Sequence, residues 1–278
     1  MSDLIIQIKT EIISAIQNDS LVLPTLPEVA LQVREAAADE NIDILKLSKV
    51  ITNDAALTAR IIKVANSPLL RASRAIEDLK MAVSRLGIDY TANLATGLAM
   101  EQMFQATSDI IDEKMRDVWT QSTEVAGISH VLCRHYTKLK PDQATLGGLV
   151  HKIGVLPILT YAEDNRKLLK DIAMLDELIE MAYPEIGRKI LEAWEFPEAL
   201  RLIPEEHVHF DRTVDSADYV DIVMVANLQS YIGSDHPLTQ LDWSAITAFE
   251  RLGLSHEVNT HDVEDLSEDM EAAMALLQ

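Results

Sequence analysis

Apolar residues recur every three or four positions along this chain, in runs separated by helix punctuation, and nowhere in the strict alternation of a half-buried strand. Leu26-Pro27-Glu28 opens the first run, with Val29, Ala30, Val33 and Ala37 on one face, and Asp39 to Asn41 ends it. Asp43 is placed to cap a helix carrying Ile44, Leu47, Val50 and Ile51, and Asp54 one carrying Leu57, Ile61, Val64 and Ala65, stopped by Asn66-Ser67-Pro68. From Ile76 the set Leu79, Val83 and Leu86 runs into Gly87, suited to a left-handed helix end, and Leu94, Ala95, Leu98 and Ala99 make a stripe of small residues. Asp109 to Lys114 then reads as a hinge.

The longest pattern follows, with Met115, Val118, Trp119, Ser122, Val125, Ala126, Ser129, Leu132 and Cys133 on one face. After Pro141 a helix carries Leu146, Leu149, Val150 and Ile153, while Gly147, His151 and Gly154 share a neighbouring stripe that lets another backbone approach closely. Leu175 to Met181, then Ile186, Ile190 and Trp194, then a short helix opened by Pro197 continue the series, with His207 and His209 in the loop beyond. A helix with Val220, Val223, Met224, Asn227, Leu228 and Tyr231 comes next, and a last core helix includes Trp243, Ile246 and Phe249. The division expected is an N-terminal helix at 1–20, a helical subdomain at 21–110, a second at 111–255 and an acidic helix or tail at 256–278.

Composition strengthens the all-α reading, since 278 residues hold only 9 Gly and 9 Pro, and 48% are hydrophobic, enough for a sizeable core. A net charge of −21 repels nucleic acid and anionic lipid, so neither is expected as a partner. Glu257 to Glu271 adds to that charge with no basic residue. One cysteine, Cys133, excludes an internal disulfide and suits a reducing compartment, the cytoplasm. Asp3, Lys9 and Glu11 interrupt the N-terminus as a signal peptide would not allow, and no run approaches the roughly 20 apolar residues of a membrane span.

The candidate chemical centre is Gly148-Leu149-Val150-His151-Lys152-Ile153-Gly154. A helical metallohydrolase needs a carboxylate beside such a histidine to hold a divalent cation and acidify its water, and Lys152 stands there instead. The expectation for His151 is a histidine packed between helices and hydrogen-bonded to a neighbour, with Lys152 reaching solvent. Asn227, in an apolar stripe, needs hydrogen bonds to offset burial. His207 and His209, with Glu205 and Glu206, read as surface residues. Neither a Ser–His–Asp arrangement nor a phosphate-binding glycine loop is present.

Four segments together resemble the HDOD family, the HD-related output domains: Leu23 to Val29, Asp54 to Arg60, Val64 to Ser67 and Ala82 to Gly87. The second half agrees through Trp119, Gly148 to Gly154, Ile186-Gly187, Trp194 and Pro197, so the likeness covers roughly residues 20 to 235. The resemblance implies an all-α, HD-like helical bundle with an N-terminal helical subdomain packed against it. It implies structural roles for Pro27, Asp54, Asn66, Ser67, Gly87, Gly148, Gly154, Trp194 and Pro197. HD phosphohydrolases place histidines and aspartates around a metal. By an ungapped reading those positions here hold Gln121, His151, Lys152, Tyr183, Glu206, His207 and Asn227. Ala182-Tyr183-Pro184 only echoes the Gly-Tyr-Pro motif of the cyclic-dinucleotide enzymes.

The expected function is therefore a non-catalytic bacterial signalling module, without metal or cofactor, whose remnant pocket binds a signalling protein or small ligand. The competing expectation is a metal-dependent phosphohydrolase with a rearranged site. Oligomeric state stays open.

Overall fold

The computed structural model describes residues 2–18, 20–67, 70 and 75–255, so the acidic segment 256–278 lies outside them. Every regular element among the described residues is a helix. The first, α1 (Ser2–Gln17), buries Ile5, Ile8, Ile12 and Ile16 on one side. Five short helices follow: α2 (Glu28–Ala38), α3 (Ile44–Ile51), α4 (Ala55–Ala65), α5 (Leu79–Leu86) and α6 (Ile88–Ala99). The caps expected at Asp43 and Asp54 accept backbone N–H groups from Lys46 and Leu57, and Asp78 does the same for Met81 at the head of α5.

Two motif residues explain the turns between these helices. The Asn66 amide accepts from the N–H of Ile76 at 2.8 Å and donates to its carbonyl at 2.7 Å, pinning together the ends of the stretch between α4 and α5. Gly87 joins α5 to α6 at φ 87° and ψ 162°, a glycine conformation as expected, though an extended one and not the left-handed helical one.

The remaining elements are α7 (Asp109–Tyr136), α8 (Pro141–Val150), α9 (Val155–Glu163), α10 (Arg166–Lys170), α11 (Ile172–Ala193), α12 (Glu198–Arg201), α13 (Ile203–Glu206), α14 (Tyr219–Ser230) and α15 (Thr247–Leu252). Three expectations need correction. Asp109 to Lys114 is no hinge: it is the first turn and a half of α7, where acidic Asp109 and Asp112 suit a helix N-terminus. The segments at Leu175 and Ile186 form one helix, α11, which runs through Pro184 because their apolar faces stay in phase. Trp243 sits in a separate 3-10 turn before α15, since Asp242 caps that turn and Ile246 is extended.

α7 and α8 pack along each other with α14 against both, while α6 lies between α2 and α8 and carries the short N-terminal helices onto the bundle. α1 lies on α11. Buried apolar residues from Ile5 to Leu252 form one continuous core. Pro141–Glu163 is, by length and composition, apolar enough to cross a membrane, contrary to the sequence expectation, yet the apolar 18-residue window within it is 89% buried inside the fold.

A latch ties the proline-rich N-terminal motif to the far end of α11. Pro27 caps α2 and Pro197 caps α12. The Trp194 indole N–H donates to the Pro24 carbonyl at 2.9 Å. Arg34, on α2, donates to the carbonyls of Trp194 (2.8 Å) and Glu195 (3.1 Å) and stacks over Phe196. A cation at a helix C-terminus meets the carbonyls that the helix leaves unpaired.

Candidate functional site

Two glycines set the geometry of the centre. A Cβ on Gly148 would meet the backbone of Ala126 on α7, and a Cβ on Gly154 would overlap the Tyr183 carbonyl and lie 2.5 Å from the Gly187 nitrogen on α11. Bare backbone at both positions lets the turn between α8 and α9 sit against two helices at once. His151 and Lys152, inside that turn, are thereby carried to the middle of the bundle.

His151 is fully buried. Its Nδ1 lies 2.6 Å from the Gly148 carbonyl, which places the proton there and leaves Nε2 as an acceptor, and that Nε2 is buried without a hydrogen-bond partner, beside Asn227. The expectation of a packed, hydrogen-bonded histidine agrees with this placement. His207 is also fully buried, at the end of α13, so its reading as a surface residue is corrected; only His209 is exposed. Apolar Ile203 and Pro204 draw the short α13 inward and His207 with it. His207 Nδ1 donates to the Ile203 carbonyl (2.8 Å), and Nε2 accepts from the Tyr183 hydroxyl (3.1 Å). The two imidazoles meet edge to face at 5.2 Å.

Lys152 does not reach solvent as expected; it is 6% exposed. Its ammonium donates to Gln121 Oε1 at 2.8 Å and to the Tyr231 hydroxyl at 3.2 Å, and Glu180 stands 4.0 Å away. Gln121 also donates to Tyr231 and, at 3.4 Å, to Asn227 Oδ1. The ammonium faces the rings of Tyr183 and Tyr231. Gln121, His151, Lys152, Tyr183, His207 and Asn227 therefore come together, while Glu206 turns away toward His209 and Arg212. Tyr231, Glu180 and His236, which stacks on Tyr231 at 3.6 Å, belong to the same group and were not singled out. Tyr231 carried a signal, standing one turn beyond Asn227 on the same stripe.

Burial keeps His151, His207 and Tyr183 in their neutral forms. Burial, then the neighbouring His207 and Lys152, hold His151 well below its ordinary value. Burial, with a contribution from Lys152, pushes His207 down to about 4. Burial raises the Tyr183 phenol well above its usual range. The centre is then two neutral imidazoles, a neutral phenol and an amine whose charge is spread over hydrogen bonds.

These residues do not fit a divalent metal. Both nitrogens of His207 are engaged, the position that needs a carboxylate carries an ammonium, and among the described residues no three His, Cys, Asp or Glu side chains converge. A cation a few ångströms from an ammonium is repelled by on the order of several kcal/mol at an intermediate dielectric.

The HDOD domain profile matches residues 23–210. This chain belongs to the HDOD family. A "putative metal-dependent phosphohydrolase" from Shewanella amazonensis SB2B resembles this HDOD protein over 100% of both chains, at 30% identity and a TM-score of 0.89. A "putative signal transduction protein" from Marinobacter aquaeolei VT8 shares the fold at 23% identity and a TM-score of 0.63, over 94% of this chain and 60% of its own. An uncharacterised protein of Treponema pallidum (strain Nichols) is 23% identical over 243 residues, 82% of this chain, which spans only 46% of that relative's length. The HDOD match ends before Asn227 and Tyr231, so the α14 side of the centre lies beyond it.

Proposed function

We propose that this HDOD chain is a non-catalytic regulatory module of bacterial signal transduction, working in the cytoplasm through binding of a protein or small ligand. In this reading α2 to α6 form the smaller subdomain and α7 to α15 a degenerate HD-like one. The observation that carries it is the Lys152 ammonium, buried between Gln121 and Tyr231 where a hydrolase would bring a carboxylate to its metal. The family match and the signalling description of the Marinobacter protein support the same class.

The full-length likeness to the Shewanella protein favours the other reading, a metal-dependent phosphohydrolase, which would have to use the unpartnered Nε2 of His151 as a ligand. One experiment separates the two. Elemental analysis of protein purified without chelator is expected to find less than about 0.1 metal ion per chain, with no turnover of phosphomonoesters, nucleotides or cyclic dinucleotides. One or two ions per chain, with turnover abolished by His151→Ala, overturns the regulatory reading.

A further inference from the structure

Away from Lys152, a cavity of about 550 Å³ opens to solvent where α3, the α5–α6 turn and the start of α8 meet. Ile44, Val83, Leu86 and Ile88 give it an apolar lining, and Gly87 contributes no side chain: a Cβ there would meet nothing within 4 Å. Asp142, in the first turn of α8, also lines it and is 7% exposed. Its Oδ2 accepts from Asn93 at 2.6 Å. Oδ1 takes no hydrogen bond among the described residues and is not sealed inside the protein. A largely buried carboxylate that keeps one accessible oxygen offers acceptor sites that a ligand N–H can take over from water.

The surrounding charges do not fill them. At the rim Lys140 is taken by Asp89 at 3.1 Å, and Arg134, whose field reaches Tyr90 from α7, has interactions of its own. Tyr90 lines the cavity beside Asp142, its hydroxyl 3.3 Å from His130 Nδ1, which in turn lies 3.0 Å from Thr145 Oγ1. The result is a largely apolar space of small-molecule size, open to solvent, with the Asp142 carboxylate and the Tyr90 phenol in its wall and the Lys140–Asp89 pair beside them.

We propose that this cavity binds a small organic cation, an amine or amidine on an apolar body, with its N–H groups on Asp142 Oδ1 and its body against Ile44, Val83 and Ile88. An anionic ligand would face Asp142, and a purely apolar one would leave Oδ1 unpaired. Because the walls come from α3, α5, α6 and α8, an occupant draws the short N-terminal helices onto the bundle. The site is separate from the Lys152 centre and does not depend on its reading.

Benzamidine and hexylamine, with benzoate and hexanoate as controls, are titrated into the full chain and followed by calorimetry and thermal melting. The cations are expected to bind saturably and raise Tm, the anions to do neither, and affinity to fall at least tenfold in Asp142→Asn and in Ile44→Trp, which fills the cavity. Saturable binding by neither cation, equal binding by the anions, or undiminished affinity in either folded variant overturns the proposal. Should Asp142→Asn fail to fold, Ile44→Trp decides alone.

Discussion

His207 and His151 are bases buried in their neutral forms, and that has a consequence for stability against pH. In the unfolded chain each takes up a proton near pH 6.5, while in the fold His207 does so only near 4. The unfolded state therefore binds more protons below about pH 6.5, and stability is lost as the pH falls toward 4. His207 alone should cost on the order of 2 kcal/mol between pH 7 and pH 5. Urea unfolding of the native protein beside His207→Leu checks this, because carboxylates act alike in both; a pH loss no larger in the native protein would contradict it. At this scale the sequence supplied the cast and not the contacts. Lys152 beside His151 was legible as a departure from metal chemistry. That the ammonium would be buried on Gln121 and Tyr231 was not, since it depends on how three helices meet. Glu206 was misplaced because it stands one residue before the inward-facing His207, and a single helical step turns a side chain from the inner to the outer face, which an ungapped alignment does not resolve.

Helices were the most legible level, and their caps and glycines explain why. Asp43 and Asp54 announce helix starts through local chemistry that tertiary packing leaves unchanged. Proline was the poorer guide: Pro184 looks like a break, yet packing of Ile179, Ala182, Ile186 and Ile190 in one core face carries α11 across it. The stripe that carries Gly147 and Gly154 was readable as a place of close approach, and the structure supplies the partners. Gly154→Ala should destabilise by more than about 3 kcal/mol, because both obstacles are backbone and neither can swing aside. Gly233→Ala, at φ 83° with open space around it, should cost only about 1 kcal/mol. Thermal melts of the two variants side by side test the contrast, and equal losses would show that the backbone around Gly154 yields to a methyl group, since Gly154 itself has an ordinary helical conformation.

For the whole molecule, one continuous core makes the boundary near residue 110 harder to see than the motifs implied, because α6 packs on α8 and α1 on α11. The Arg34 latch offers a way to test the division. Arg34→Ala removes two charge-assisted hydrogen bonds and a stack on Phe196, worth about 1–3 kcal/mol together. If α2 to α6 form a separable unit, amide hydrogen exchange in that variant accelerates in those helices and stays slow in α7 and α8. A uniform acceleration would mean that the fold opens as one piece.

The buried amine at position 152 has a final consequence, for supply. A centre braced by a bound ion is assembled only where the cell delivers that ion, and it comes apart when the ion is withdrawn. Here the cation is tethered to the backbone, so it cannot dissociate and meets its partners at the moment the chain folds. On the regulatory reading proposed above, scarcity or surplus of iron, manganese or zinc then leaves the brace unchanged, and any signal passed through it is insulated from the metal economy of the cell.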